Sequence, residues 1–310
     1  MTNFAAVFPG QGSQSVAMLA ELAEKYEIIT ETFAEASAVL GYDLWQLVQN
    51  GPAEALNQTD RTQPALLTSS VAIWRAWQQQ GGPQPSVMAG HSLGEDSALV
   101  CAGVIAFSDA VKLVELRGKL MQQAVPAGVG AMSAIIGLDD QAIAKACEQA
   151  AEDQVVAPVN FNSPGQVVIA GNKEAVERAN ALCKAAGAKR ALPLPVSVPS
   201  HCALMKPAAD ELAIALESIE FSAPSIAVIN NVDVAMASEP AAIKQALVRQ
   251  LYCSVRWSEA VELMAQQGVT TLVEMGPGKV LNGLTKRIEK SLSAASINDS
   301  DSLASALASL

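Results

Sequence analysis

Histidine is almost absent from this chain. The 310 residues hold only His91 and His201, so any imidazole chemistry falls to one of these two. The cysteines, Cys101, Cys147, Cys183, Cys202 and Cys253, are odd in number, scattered and without metal-type spacing. This argues against a metal site or a disulfide framework and for a reduced, cytoplasmic setting. Charge is sparse, 16% against 50% hydrophobic residues, which excludes disorder and allows one large core or a core plus an inserted lobe. The formal net charge of -11 argues against non-specific binding to nucleic acid or anionic membrane, while leaving room for a local basic patch that meets an acidic partner. Met1 to Phe8 has no basic n-region, and the longest nearly uncharged stretch, around Ser97 to Phe107, is too short to span a bilayer, so neither signal nor anchor is expected.

What is present centres on Gly90-His-Ser-Leu-Gly94, preceded by the apolar run Val87-Met-Ala89 and followed by helix formers from Glu95 to Ala102, with Gly103 as a stop. Strand, Gly-X-Ser-X-Gly and helix in this order describe a nucleophile elbow. Its turn is too tight for a Cβ two residues to either side of the apex, and glycine at 90 and 94 removes that clash. Ser92 would stand at the apex with its hydroxyl lifted off the sheet edge. The N–H of Leu93, at the helix start, would face a developing oxyanion. The pentapeptide also arises by chance, and it is the flanking strand and helix that weigh against that account.

The remaining segments alternate. Asn3–Phe8 reads as a buried strand ending in Pro9-Gly-Gln-Gly-Ser-Gln14, with helical periodicity from Val16 to Tyr26. That loop lacks both the Lys-Ser/Thr of a P-loop and a full Gly-X-Gly-X-X-Gly, so Gln11 is read as a donor or positioning residue and not as part of a nucleotide site. Residues 29–60 look helical and polar, Thr62-Gln-Pro-Ala65 opens a helix through Gln80, and Ser108 can cap a helix from Asp109 to Ala124. Residues 131–196 read strand, helix, strand, strand, helix, strand, the βαββαβ order of a ferredoxin-like unit. Then come Ser200-His201 leading a helix, a strand at Ile226–Ile229 ending in Asn230-Asn231, a helix around 241–252, and a last strand, Thr270–Glu274, running into Met275-Gly-Pro-Gly278. The Ser- and Ala-rich end from Ser291 reads as peripheral. The expected fold is α/β: a large α/β-hydrolase-like domain (1–126 and 198–310) with a mostly parallel sheet, carrying the elbow, plus an inserted ferredoxin-like lobe (127–197). Gln11, Ser92 and the Gly276 turn would lie at carboxyl ends of strands, where open α/β sheets place their sites.

Two further residues bear on chemistry. Arg117 falls within the apolar stripe Leu113, Val114, Leu120 and Met121, where it either snorkels along the helix or holds an anion such as a substrate carboxylate in its planar fork. His91 precedes the nucleophile, where backbone direction makes it a poor partner. His201 remains as the base, kept neutral by a helix N-terminus, with a packing role as the alternative.

Taken together, these residues resemble the bacterial malonyl-CoA:acyl-carrier-protein transacylases of fatty-acid synthesis over nearly the whole chain. The resemblance rests on Phe8-Pro-Gly-Gln-Gly-Ser-Gln14, Thr62-Gln-Pro-Ala65, Gly90-His-Ser-Leu-Gly-Glu95, Arg117-Gly118, Gly130-Ala-Met-Ser-Ala-Ile-Ile-Gly137, Asn162-Ser-Pro-Gly165, Pro199-Ser-His201 and Glu274-Met-Gly-Pro-Gly278, in family order. It implies a ping-pong transfer of malonyl from CoA to Ser92 and on to the phosphopantetheine thiol of acyl carrier protein, with CoA thioester as substrate and no cofactor. It also implies His201 as base and acid, an oxyanion hole from the N–H groups of Gln11 and Leu93, and Arg117 on the malonyl carboxylate. Gln63 and Asn162 would contribute to substrate binding, and the backbone carbonyl of Gln250 would orient the histidine. Three positions depart from the family pattern: Ala17 where glycine is usual, Asp96 where an aromatic or apolar residue follows Gly-Glu, and Cys253-Ser254 where Asn-Pro is common. Lys189-Arg190 and Lys286-Arg287 would receive the acidic carrier. A hydrolytic esterase or thioesterase, and an inactive carrier-binding scaffold, remain the alternatives at this stage.

Overall fold

In the computed structural model the run Phe-Ala-Ala-Val-Phe forms β1 (Phe4–Phe8), buried along its whole length. Strand alternation sends Phe4, Ala6 and Phe8 into one hydrophobic cluster and Ala5 and Val7 into another, so the strand is covered on both faces. The structure describes residues 3–196 and 198–310. Met1, Thr2 and Ser197, the last at the expected end of the lobe, lie outside the described residues.

Helices α1 (Ala20–Lys25), α2 (Glu27–Leu40), α3 (Leu44–Asn50) and α4 (Ala53–Leu56) lead to the long α5 (Thr59–Gln79). The elbow follows as β2 (Val87–Gly90) and α6 (Leu93–Cys101), then α7 (Phe107–Ala124). Next come β3 (Gly130–Ile136), α8 (Asp140–Ala151), β4 (Val156–Ser163), β5 (Gln166–Asn172), α9 (Lys173–Ala185) and β6 (Arg190–Pro193). The chain closes with α10 (Lys206–Glu217), β7 (Val228–Ile229), α11 (Pro240–Gln250), α12 (Trp257–Gln266), β8 (Thr271–Met275), α13 (Val280–Ile288), β9 (Ser293–Ile297) and α14 (Ser300–Ser309).

Five strands form one sheet in the order β7-β2-β1-β8-β9, with every pairing parallel. The other four form a separate antiparallel sheet, β4-β5-β3-β6. One face of this second sheet packs on α8 and α9 through Ile135, Val167 and Ile169. The other, through Met132, Val159, Val168 and Ala170, packs on Cys202, the neighbour of His201. Backbone bonds stitch the two bodies: Val255 N–H donates to Val159 O at 2.8 Å and Phe161 N–H to Val255 O at 3.0 Å. Ser254 adds its own bond, Oγ to Pro158 O at 2.9 Å, so the Cys253-Ser254 departure lies at this joint.

Several element boundaries differ from the sequence reading. Ala17 and Leu19 adopt left-handed φ values of 66° and 62°, which delays the first helix from Val16 to Ala20. Helix α5 starts three residues early, so Pro64 lies inside it. Ser108 falls inside α7 and caps nothing; the flanking residue is Ala106. Strand β6 stops at Pro193, where its pairing with β3 ends. His201 does not lead a helix directly, since a 3-10 turn, Ala203–Met205, precedes α10. The chain end is not peripheral. Strand β9 pairs with β8, a capping box from Asp299 and Ser302 starts α14, and Ile297 and Leu303 join the main core. Among the described residues no helix is long and apolar enough to cross a membrane.

The left-handed Ala17 generates a stability prediction. Its Cβ meets the following carbonyl, a strain glycine does not feel, so Ala17→Gly should raise the unfolding free energy by about 0.5 to 1 kcal/mol after the extra chain entropy of glycine is subtracted. Urea unfolding reads this directly, and a lowered midpoint would contradict it.

Candidate active site

Because the five-stranded sheet is wholly parallel, the segments leaving β1, β2, β7 and β8 emerge at one edge, bringing together Gln11, Ser92, Asn231 and Gly276. Ser92 has φ 53° and ψ -115°, a strained conformation for any residue but glycine. A Cβ at Gly90 would overlap the backbone of Gly94, and one at Gly94 would overlap the carbonyl of Phe8. What holds the turn is Asn231, which sequence reasoning noted only as the end of a strand. Its Oδ1 accepts from Ser92 N–H at 2.8 Å and its Nδ2 donates to Gly90 O at 2.7 Å. Its own N–H donates to Glu95 Oε2 at 2.9 Å.

At the apex, Ser92 Oγ lies 2.7 Å from His201 Nε2, and His201 Nδ1 lies 2.6 Å from the carbonyl oxygen of Gln250. A carbonyl can only accept, so Nδ1 carries the proton and Nε2 offers its lone pair to the serine hydroxyl. No carboxylate orients this imidazole. Burial pushes its pKa from 6.5 down to about 3, the positive charge of Arg117 adds to the shift, and the Gln250 carbonyl opposes it. Desolvation, and not the helix N-terminus expected from the sequence, is the main cause. His91 is turned elsewhere, with Nε2 2.8 Å from Asn162 Oδ1, and burial lowers its pKa as well.

Arg117 is 2% exposed and reaches the same point from α7. Nη1 donates to Gln63 Oε1 at 2.9 Å, Nη2 donates to Gln250 Oε1 at 2.8 Å, and Nη2 lies 3.5 Å from Ser92 Oγ. This is not snorkelling. The Gln250 amide completes the network, donating from Nε2 to Ser92 O at 3.0 Å and to Glu95 Oε2 at 2.8 Å. Burial raises Glu95 to about 7 and Asp96 to about 6, the latter opposed by Arg117. Asp96 therefore does not face solvent. Gln11, Gln63, Leu93 and Arg117 line a cavity of about 120 Å³ that opens onto Ser92 and His201. Asn160 lines it too, where the sequence reading pointed to Asn162, whose side chain is occupied by His91. The two stand at i and i+2 of β4, which a regular strand would place on one face, and the register shift between Phe161 and Ser163 separates them. Cys202, beside the base, is a buried thiol raised to about 11 by its surroundings and bonded to Pro199 O at 3.1 Å.

A serine hydroxyl bonded to a neutral imidazole, beside a guanidinium with neutral partners, is equipped for acyl transfer with an anionic acyl group. The model of the acyl transferase domain family matches residues 6–305. The malonyl CoA-acyl carrier protein transacylase of Salmonella typhimurium strain LT2 is 71% identical over 307 residues, 99% of each chain. The chain belongs to this acyl transferase family. Two solved structures extend the likeness. The acyl carrier protein S-malonyltransferase from Vibrio cholerae has 72% identity and a TM-score of 0.97, over 98% of this chain and 99% of that one. A malonyl-transacylase in complex with its type II polyketide acyl-carrier protein has 66% identity and a TM-score of 0.99, over the whole of both.

Burial keeps the His201 imidazole neutral well below pH 6.5, which is testable without any CoA substrate. Inactivation by an uncharged, serine-directed sulfonyl fluoride should proceed at a nearly constant rate between about pH 5 and pH 7.5. A fall centred near the ordinary histidine pKa would mean that His201 titrates as an exposed imidazole.

Proposed function

We propose that this chain transfers the malonyl group of malonyl-CoA to the phosphopantetheine thiol of acyl carrier protein, through a malonyl ester on Ser92, for fatty-acid biosynthesis. The observation that carries this reading is Arg117, a buried cation with only neutral partners, one of them the nucleophile. An acyl group ending in a carboxylate supplies the missing anion.

In the first half-reaction His201 Nε2 takes the Ser92 proton as Oγ attacks the thioester carbonyl. The oxyanion meets the N–H groups of Leu93 and Gln11, and collapse breaks the C–S bond, with His201 returning the proton to the departing CoA thiolate. In the second, the carrier's thiol gives its proton to His201 and attacks the ester, and Ser92 leaves with that proton. Gln250 orients the imidazole through its carbonyl and Arg117 through its side chain. Gln63 fixes the other arm of the guanidinium, and Asn162 contributes by holding His91 against the elbow. Every step uses the chain's own groups, so the CoA thioester enters as substrate and no cofactor is invoked.

The same reading divides the chain into an α/β-hydrolase-like domain, 1–126 and 198–310, and an inserted ferredoxin-like lobe, 127–197. The βαββαβ order and the strand order β4-β5-β3-β6 support the lobe. Five free cysteines support a reduced, cytoplasmic setting. Lys189, Arg190, Lys286 and Arg287 are all exposed and suit an acidic carrier. Arg287 also donates to Gln166 at 2.9 Å.

Removing the clamp should change specificity and leave the chemistry. Arg117→Ala deprives a bound carboxylate of its charge-assisted partner, a loss of roughly 2 to 4 kcal/mol, or about 30- to 1000-fold in kcat/KM for malonyl-CoA. Acetyl transfer, with no carboxylate to hold, should be unchanged or improved, and Arg117→Lys should be intermediate at best. Equal losses for malonyl and acetyl in a protein of unchanged stability would reject the clamp.

A further inference from the structure

Arg117 has no contact ion pair. Its hydrogen-bonded partners, Gln63, Gln250 and Ser92, are neutral, and no salt bridge among the described residues involves it. A cation stripped of water must be balanced at longer range. The carboxylates available are Glu95 and Asp96, adjacent in the first turn of α6 and 1% and 4% exposed.

These two differ. Glu95 Oε2 accepts from Asn231 N–H and from Gln250 Nε2 and is anchored by both. Asp96 Oδ2 is buried and no donor reaches it. Helix α6 packs against β1, β2, β7, α5 and α7. Among the buried residues of β1, β2, β7 and α5 there is no titratable side chain, and Arg117 is the only one from α7. On α6 itself the other charged residue is Glu95. Asp96 is thus a buried carboxylate with an unpartnered oxygen, within electrostatic reach of the Arg117 guanidinium and of the neighbouring Glu95, on the helix that follows Ser92.

We propose that Asp96 is a specificity-determining residue that works through Arg117. Its buried carboxylate competes with the free carboxylate of the substrate for the guanidinium charge, and so sets how strongly a carboxylate-bearing acyl group is preferred over one without. This rests on the reading of Arg117 as the malonyl clamp. Burial raises Asp96 to about 6, while Arg117 opposes the rise. Below that pH Asp96 is neutral and the clamp faces the substrate with its charge less compensated. Above it the substrate carboxylate enters against Asp96 and, higher still, Glu95. Malonyl affinity should therefore weaken as pH rises, and malonyl binding should take up protons.

Steady-state kinetics with malonyl-CoA and acetyl-CoA test this, because the ratio of the two KM values cancels titration of CoA and of His201. Between about pH 5.5 and pH 8 the malonyl-to-acetyl KM ratio should rise about three- to tenfold in the parent protein. Asp96→Asn should lower the malonyl KM at the alkaline end by a similar factor of about three to ten, in KM and not in kcat, and flatten most of the rise, with Glu95 accounting for the remainder. Asp96→Ser provides a second neutral variant, and thermal unfolding establishes that each is folded. Parent-like KM ratios at every pH in both variants, with Arg117→Ala still losing malonyl transfer selectively, would overturn the role of Asp96 and leave the clamp standing. Equal loss of malonyl and acetyl transfer in Arg117→Ala would overturn both.

Discussion

The site depends on Gln250, a fully buried residue at the end of α11 whose main chain and side chain serve different partners. Its carbonyl fixes the tautomer of His201, and its amide spans Arg117, Glu95 and the carbonyl of Ser92. A carboxylate in place of that carbonyl would stabilise the imidazolium and raise the histidine pKa. A neutral acceptor orients the ring without doing so, and leaves the positive charge of Arg117 unclaimed at contact distance. The neutral imidazole and the guanidinium can then line one small cavity without neutralising each other.

Such an arrangement is tolerable only where the polar groups are satisfied, since a buried donor or acceptor without a partner costs about 1 to 3 kcal/mol. Asn231 illustrates the point: its side chain ties Gly90 to Ser92, and its N–H helps anchor Glu95. The strained φ of Ser92 is maintained by this bracing together with the close approach of Gly94 to the end of β1. Asp96 Oδ2 is the exception within α6's first turn.

The elbow was legible in the sequence because tight backbone approach demands glycine at fixed offsets, and a strand and a helix leave recognisable periodicity on either side. The βαββαβ segment was legible for the same reason, and β3, α8, β4, β5, α9 and β6 follow in the expected order. Other features were hidden. Asn231 and Glu95 act through contacts over more than 130 positions, which no local pattern encodes. Strand β9 has the sequence Ser-Ala-Ala-Ser-Ile, so it joins the sheet through its backbone with little apolar signal. The left-handed Ala17 and Leu19 broke a helical pattern whose apolar spacing remained intact. Arg117 stood between two readings until its neutral, buried partners favoured an anion.

The most direct test of a covalent acyl carrier at Ser92 is intact-protein mass spectrometry after brief mixing with isotopically labelled malonyl-CoA, followed by peptide mapping and a chase with holo acyl carrier protein. The account predicts one labelled adduct, on the peptide containing Ser92, that disappears as an equal amount of label arrives on the carrier's thiol. Label on another peptide, or label released to water as free malonate while the carrier stays unlabelled, would contradict it.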